Sequence, residues 1–91
     1  MSVDKWLSGL IEQSARECGY DNFTPEVRTS DPRFGDLQSN GVLRYAKAIG
    51  KSPRMIAEEI FNNLQKDPQI TDNFQCTLSG PGFINFKFKN S

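Results

Sequence analysis

The sequence reads as a small α+β domain of two layers, with one antiparallel or mixed sheet of about three to four strands and helices packed on one face of it. The expected order along the chain is α-β-α-α-β-β. Residues 2–18, 37–49 and 53–64 repeat their apolar side chains with a helical period, whereas 25–30, 74–78 and 83–88 are short, and the last two alternate. Glycines and prolines fall mostly between these stretches and divide the chain into elements.

Ser2 is placed to cap the first helix, whose Trp6, Leu7, Leu10, Ile11, Ala15 and Cys18 share one side, and Gly19 supplies the stop. A loop over 21–24 leads to a polar strand at 25–30 anchored by Val27. Pro25 stands at its start, where a missing N–H costs a sheet least. The run "SDPRFGD" (30–36) reads as loop, because Asp-Pro and the glycine after it interrupt regular structure. Asp36 is then expected to cap a second helix, with Leu37, Val42, Leu43, Ala46 and Ile49 turned inward. Asn40-Gly41 pulls the other way, since Asn-Gly is a strong hairpin signal and glycine costs about 1 kcal/mol inside a helix. The helical spacing of "VLRYAKAIG" favours a helix in which Gly41 marks close backbone packing.

Gly50 ends that helix. Ser52-Pro53 opens the next as cap and first-turn proline, with Met55, Ile56, Ala57, Ile60, Phe61 and Leu64 on its apolar face. Residues 66–72 read as a polar loop. Phe74, Cys76 and Leu78 alternate as a strand, Ser79-Gly80-Pro81-Gly82 reverses the chain, and 83–88 returns as its hairpin partner.

Ninety-one residues make one domain, 1–91, and a chain of this size buries somewhat more than ~60% of its unfolded surface. The apolar fraction of 36%, with seven Phe, suffices for one core. The absence of histidine removes His-based triads and most zinc sites, and Gly-Pro-Gly lacks the lysine that a phosphate-cradling loop needs. No metal or catalytic residue is expected. Cys18 and Cys76 have no metal-type spacing and fall at apolar-periodic positions, as buried thiols do. No stretch is apolar enough to span a membrane and no basic-then-apolar leader opens the chain, so a cytoplasmic location is expected. Net charge is zero, yet residues 28–54 hold Arg28, Arg33, Arg44, Lys47, Lys51 and Arg54 against Asp31 and Asp36. A zero total can therefore hide one basic face.

The last strand raises the functional question. Ile84, Phe86 and Phe88 point one way, under the helices, while Phe83, Asn85 and Lys87 point to the open face. An exposed ring offers a stacking surface. An amide about 7 Å along the strand can read a base edge, and a lysine beyond it can meet a phosphate. Unpaired RNA bases are recognised by this combination. The bland alternative tucks Phe83 under the turn, bonds Asn85 to backbone and leaves Lys87 solvated. Stacking contributes about 1–3 kcal/mol per base, so a lone module of this kind binds weakly and makes more sense as an arm of a larger RNA-binding body.

Three stretches, "VRTSDPRFGDLQSNGVLRYAK" (27–47), "GKSPRMIAEEIFNNL" (50–64) and "LSGPGFINFKF" (78–88), together resemble the N-terminal additional domain of arginyl-tRNA synthetases. Phe-Gly-Asp-x-Gln-x-Asn, Pro-x-x-x-Ala-Glu and Gly-Pro-Gly-Phe-Ile-Asn stand in that family's order and spacing. The resemblance implies contact with the D-loop and elbow of tRNA(Arg), with Phe83 stacking on a D-loop nucleotide, Asn85 bonding to it, and Gly80 and Gly82 shaping the turn beside them. Lys87, Arg28, Arg33, Arg44, Lys47, Lys51 and Arg54 are candidate phosphate contacts. Phe34 is expected to plug the core, Asp36 to cap its helix, and Gln38 and Asn40 to satisfy loop backbone. The family's catalytic and anticodon-binding domains are absent from these residues. The chain therefore reads as a monomeric, non-catalytic fragment ending at a domain boundary near Asn90 and Ser91. ATP and arginine would bind the missing catalytic body. The alternative is a freestanding homologue serving as a protein-interaction module in translation.

Overall fold

A computed structural model of the chain describes residues 2–89, so the expected boundary at Asn90 and Ser91 lies outside the described residues. The elements run α1 (Val3–Glu17), β1 (Val27–Thr29), β2 (Leu37–Ser39), α2 (Val42–Ile49), α3 (Pro53–Leu64), α4 (Pro68–Thr71), β3 (Phe74–Ser79) and β4 (Phe83–Phe88). The strands form one antiparallel sheet in the order β1-β2-β4-β3, and the helices cover one face, which is the expected α+β class.

Local signals account for most boundaries. The Ser2 side chain accepts a hydrogen bond from the Lys5 N–H at 3.3 Å, and the Ser52 side chain accepts one from the Met55 N–H at 3.4 Å, with Pro53 in the first turn of α3. Gly50 ends α2 in the left-handed conformation (φ 69°) that a side chain would disfavour. Leu7, Ile11, Ile56, Ile60, Leu64, Ile84 and Phe86 are fully buried between the layers. Trp6 and Phe88 flank Phe74, with ring centroids 5.9 and 5.3 Å away.

The region 34–41 departs from the sequence reading. Asp36 caps no helix. Its backbone N–H donates to the Phe86 carbonyl at 2.8 Å, and its carboxylate accepts from the Phe88 N–H at 2.8 Å, so it extends the ladder along β4. Residues 37–39 form a strand because β4 would otherwise have one bare edge, and their burial alternates to match: Leu37 and Ser39 are buried and Gln38 faces away from the helices. The helix begins only at Val42. Gly41 does mark a close approach, but at the strand-to-helix junction: a Cβ there would lie 1.9 Å from the Thr24 carbonyl oxygen. Phe34 does not plug the core. It is 47% exposed on the loop.

Other inward assignments are also corrected. Leu43, Ile49, Met55 and Phe88 are exposed: α2 buries only Val42 and Ala46, α3 buries Ile56, Ala57, Ile60 and Leu64 but not Met55, and β4 runs past the edge of the core at its end. Cys18 and Cys76 are half-buried free thiols, and burial raises the pKa of each. Within 66–72 the Asp67 side chain caps α4, a single turn that drives Ile70 fully into the core.

Candidate nucleic-acid interface

The helix-free face of the sheet carries a polar row set by strand register. Arg28 on β1 stands opposite Gln38 on β2, Gln38 opposite Asn85 on β4, and Asn85 opposite Thr77 on β3. Side chains directly opposite in antiparallel strands share a face and touch. The Gln38 Nε2 donates to Asn85 Oδ1 at 2.7 Å, and the Asn85 Nδ2 donates to Ser79 Oγ at 3.0 Å and Thr77 Oγ1 at 3.3 Å.

This changes the reading of Asn85. It was expected to stand open, yet only 2% of it is exposed. Neighbouring strands, not helices, enclose it, and both of its amide hydrogens are engaged. Gln38, expected to satisfy loop backbone, instead bonds across the sheet to Asn85. The register that joins them is non-local, and the outward position of Gln38 in a strand was hidden by the helical reading of 37–49.

Phe83 is half-buried at the start of β4. Gly80 (φ 54°) leaves room for it, since a Cβ on Gly80 would lie 3.0 Å from the ring. Gly82 lets the turn close on α2 and α3, because its Cβ would lie 2.9 Å from Val42 Cγ1. The ring helps line an open cavity of about 440 Å³ with Phe34, Gln38, Ser79 and Gly80. A second cavity of about 420 Å³ lies alongside, touching Phe34, Arg33, Asn85 and Lys87. Phe34 and Ser79 border both.

The candidate cations are spread around the domain. Arg28 and Arg44 share Glu26, at 3.8 and 3.5 Å. Arg33 pairs with Asp31 at 2.9 Å, and its side-chain and backbone N–H groups hold the Asp31 carboxyl below the usual carboxylate range. The Lys51 ammonium lies 3.6 Å from Glu59 and donates to the Tyr20 hydroxyl, which raises the lysine pKa. Arg54 pairs with Glu58 and donates to the Gly80 carbonyl at 3.1 Å, tying α3 to the turn beside Phe83. Among the described residues nothing pairs with Lys47 or Lys87. Exposed ion pairs contribute about 0–1 kcal/mol, so a phosphate can displace the acid in most of them. Among the described residues no cluster of His, Cys, Asp or Glu is suited to a metal ion, and no helix is long and apolar enough to cross a membrane.

One sheet with a single helical layer, a polar row on its bare face and an aromatic at the hairpin turn makes this a small two-layer α+β domain. Its family is clear from comparison: residues 5–88 match the model for the arginyl-tRNA synthetase N-terminal domain, and the chain belongs to that family. It is 41% identical to an arginine–tRNA ligase of Crocosphaera subtropica over 90 residues, covering 98% of this chain and 14% of that protein. An arginine–tRNA ligase of Prochlorococcus marinus is 40% identical, covering all of this chain and 16% of its own length. The chain thus spans about a sixth or less of these relatives. The fold is also that of Plasmodium falciparum arginyl-tRNA synthetase, at a TM-score of 0.80 with 22% identity over 96% of this chain and 16% of that one. The Thermus thermophilus arginyl-tRNA synthetase superposes with a TM-score of 0.74 at 22% identity, covering 97% of this chain and 14% of the other.

Proposed function

We propose that this domain is the non-catalytic tRNA-recognition part of an arginine–tRNA ligase, contacting the D-loop and elbow of tRNA(Arg) by base stacking and amide hydrogen bonding. The observation that carries the reading is the Phe83 ring, half exposed at the rim of an open cavity beside the Gln38–Asn85 amides, on the face that no helix covers. Lys87 and Arg28 lie on the same face for phosphates, and Arg33 borders it. ATP and arginine bind the catalytic body elsewhere in the ligase, and the domain works in the cytoplasm as part of a monomer.

Stacking on an aromatic contributes about 1–3 kcal/mol, so Phe83→Ala in the full-length ligase raises the KM for tRNA about tenfold or more. Asn85→Ala acts in the same direction. Binding of arginine and ATP stays unchanged in both. Unaltered tRNA kinetics in both variants would remove the proposal. Titrating the chain with labelled tRNA at two salt concentrations separates this role from docking on another protein, because phosphate contacts weaken steeply with salt and apolar docking does not.

A further inference from the structure

We infer that Phe34 is the second aromatic wall of the site. An unstacked nucleobase then lies between the rings of Phe34 and Phe83, with its edge on the Gln38 carboxamide. This deepens the proposed tRNA role and rests on it.

Phe34 belongs to a loop, and the loop is not loose. The Phe34 N–H donates to the Asp31 carbonyl at 2.8 Å, the Arg33 N–H donates to the Asp31 carboxylate at 2.9 Å, and the Ser30 N–H donates to the Asp36 carbonyl at 3.1 Å. The Arg33 guanidinium sits 5.6 Å from the centre of the Phe34 ring while bonded to Asp31. Gly35, at φ 135°, passes so close to β4 that a Cβ would lie 2.9 Å from the Phe86 carbonyl oxygen. A large ring is therefore held on an ordered loop yet left 47% exposed, and it lines the same cavity as Phe83. Holding both rings before the ligand arrives lowers the entropy cost of binding.

The lining of this cavity has the matching polar chemistry. Gln38 spends one amide hydrogen on Asn85 Oδ1. Among the described residues its second hydrogen and its Oε1 have no partner, so a donor and an acceptor lie side by side. That pair matches the edge of a nucleobase, where an N–H or NH₂ adjoins a ring nitrogen or carbonyl. Asn85 has no free N–H and is a positioning residue that fixes the orientation of Gln38. A purely apolar side chain from a protein partner would fill the slot and leave the Gln38 amide unsatisfied, whereas a base satisfies both ring faces and the amide. Arg33 and Lys87 border the adjoining cavity, where the sugar-phosphate backbone would run.

The test titrates the isotopically labelled chain with a synthetic RNA stem-loop carrying a tRNA D-loop at low salt, followed by NMR. A base between two rings shows upfield ring-current shifts of its own protons and contacts to both Phe34 and Phe83. Phe34→Ala is expected to weaken RNA binding about tenfold, Phe34→Trp to restore it, and Phe34→Leu not to. The Phe34→Ala and Phe83→Ala losses should be coupled, the double variant losing less than their product. Because Phe34 is exposed, the variants keep the parent's amide spectrum away from the loop. If Phe83→Ala weakens binding while Phe34→Ala does not, if leucine restores it, or if the two losses are independent, the second wall is wrong and the tRNA role stands. If the parent chain shows no binding, or neither alanine variant matters, both fall.

Discussion

Asn85→Ala should destabilise the domain as well as impair any RNA site, because this side chain joins three strands. Its loss removes hydrogen bonds of 2.7, 3.0 and 3.3 Å to Gln38, Ser79 and Thr77. Thr77 is exposed and Gln38 and Ser79 are half exposed, so their polar groups regain water and no full desolvation penalty remains. At about 0.5–1 kcal/mol net per bond, the sum is about 2 kcal/mol. For a domain of this size that corresponds to a fall in Tm of about 8–16 °C. With a urea slope near 1 kcal/mol/M, the unfolding midpoint falls by about 2 M at constant slope. Asn85→Asp separates hub from shape: its carboxylate still accepts from Gln38, and the two hydroxyls can rotate to donate, so most of the stability should return. Circular dichroism during urea unfolding measures both. An alanine midpoint within about 0.5 M of the parent would show that the three bonds contribute nothing net and that Asn85 is held by packing alone.

Gly41→Ala should cost more than about 3 kcal/mol, because the new Cβ meets backbone at 1.9 Å and must break the Gly41 N–H bond to the Pro25 carbonyl; failure to fold, or a collapsed unfolding midpoint, checks it. Asp36→Ala should cost about 1 kcal/mol and speed hydrogen exchange at the Phe88 amide, while Asp36→Asn retains an acceptor and much of the protection. The Asp31 carboxyl has its pKa lowered by Arg33, so its contribution to loop order is fully present above the ordinary carboxylate pKa and is lost as pH falls through the lower folded value; the Arg33 amide shift, followed by NMR, should titrate below the range of a free aspartate. The Cys18 and Cys76 thiols, both raised chiefly by burial, should react with iodoacetamide more slowly at neutral pH than free cysteine does and accelerate only in more alkaline solution.

The caps at Ser2 and Ser52, the hairpin turn and both long strands follow from short-range signals, and residue patterns sufficed to place them. The strand at 37–39 did not follow, for a definite reason. Leu37-Gln38-Ser39 contains a single alternation, which fits a helix turn as well as a strand, and its assignment depends on the open edge of β4. The Asn40-Gly41 pair was the local hint, since it closes the chain against Pro25 and Glu26 through two backbone bonds. The same error concealed the candidate site. Alternation along β4 put Phe83, Asn85 and Lys87 away from the helices, but the partner that fixes the Asn85 amide lies 47 residues earlier in sequence. Only the register brings them together. Phe34 shows the limit of composition: a large aromatic is expected inside, and here the hydrogen bonds of Asp31 and the close passage of Gly35 over β4 hold it out.

The way this face is built bears on what such a domain can contribute to a ligase. Its cavities are open, and Arg28 and Arg33 beside them already have acidic partners, so tight binding by the domain alone is not expected. Discrimination asks for less. A base that fits two fixed rings and a pre-oriented amide differs from one that does not by about 1–3 kcal/mol, a factor of about ten to a hundred, even when the total binding energy is small. In the proposed role, attachment to a body that already holds the tRNA would bring the patch to the D-loop at high effective concentration, and the weakness of the free domain would no longer matter. Rigidity is then the property that counts. The hydrogen bonds that tie Asn85 to the strands on either side and the Phe34 backbone to its loop supply it from the fold itself, before any RNA arrives.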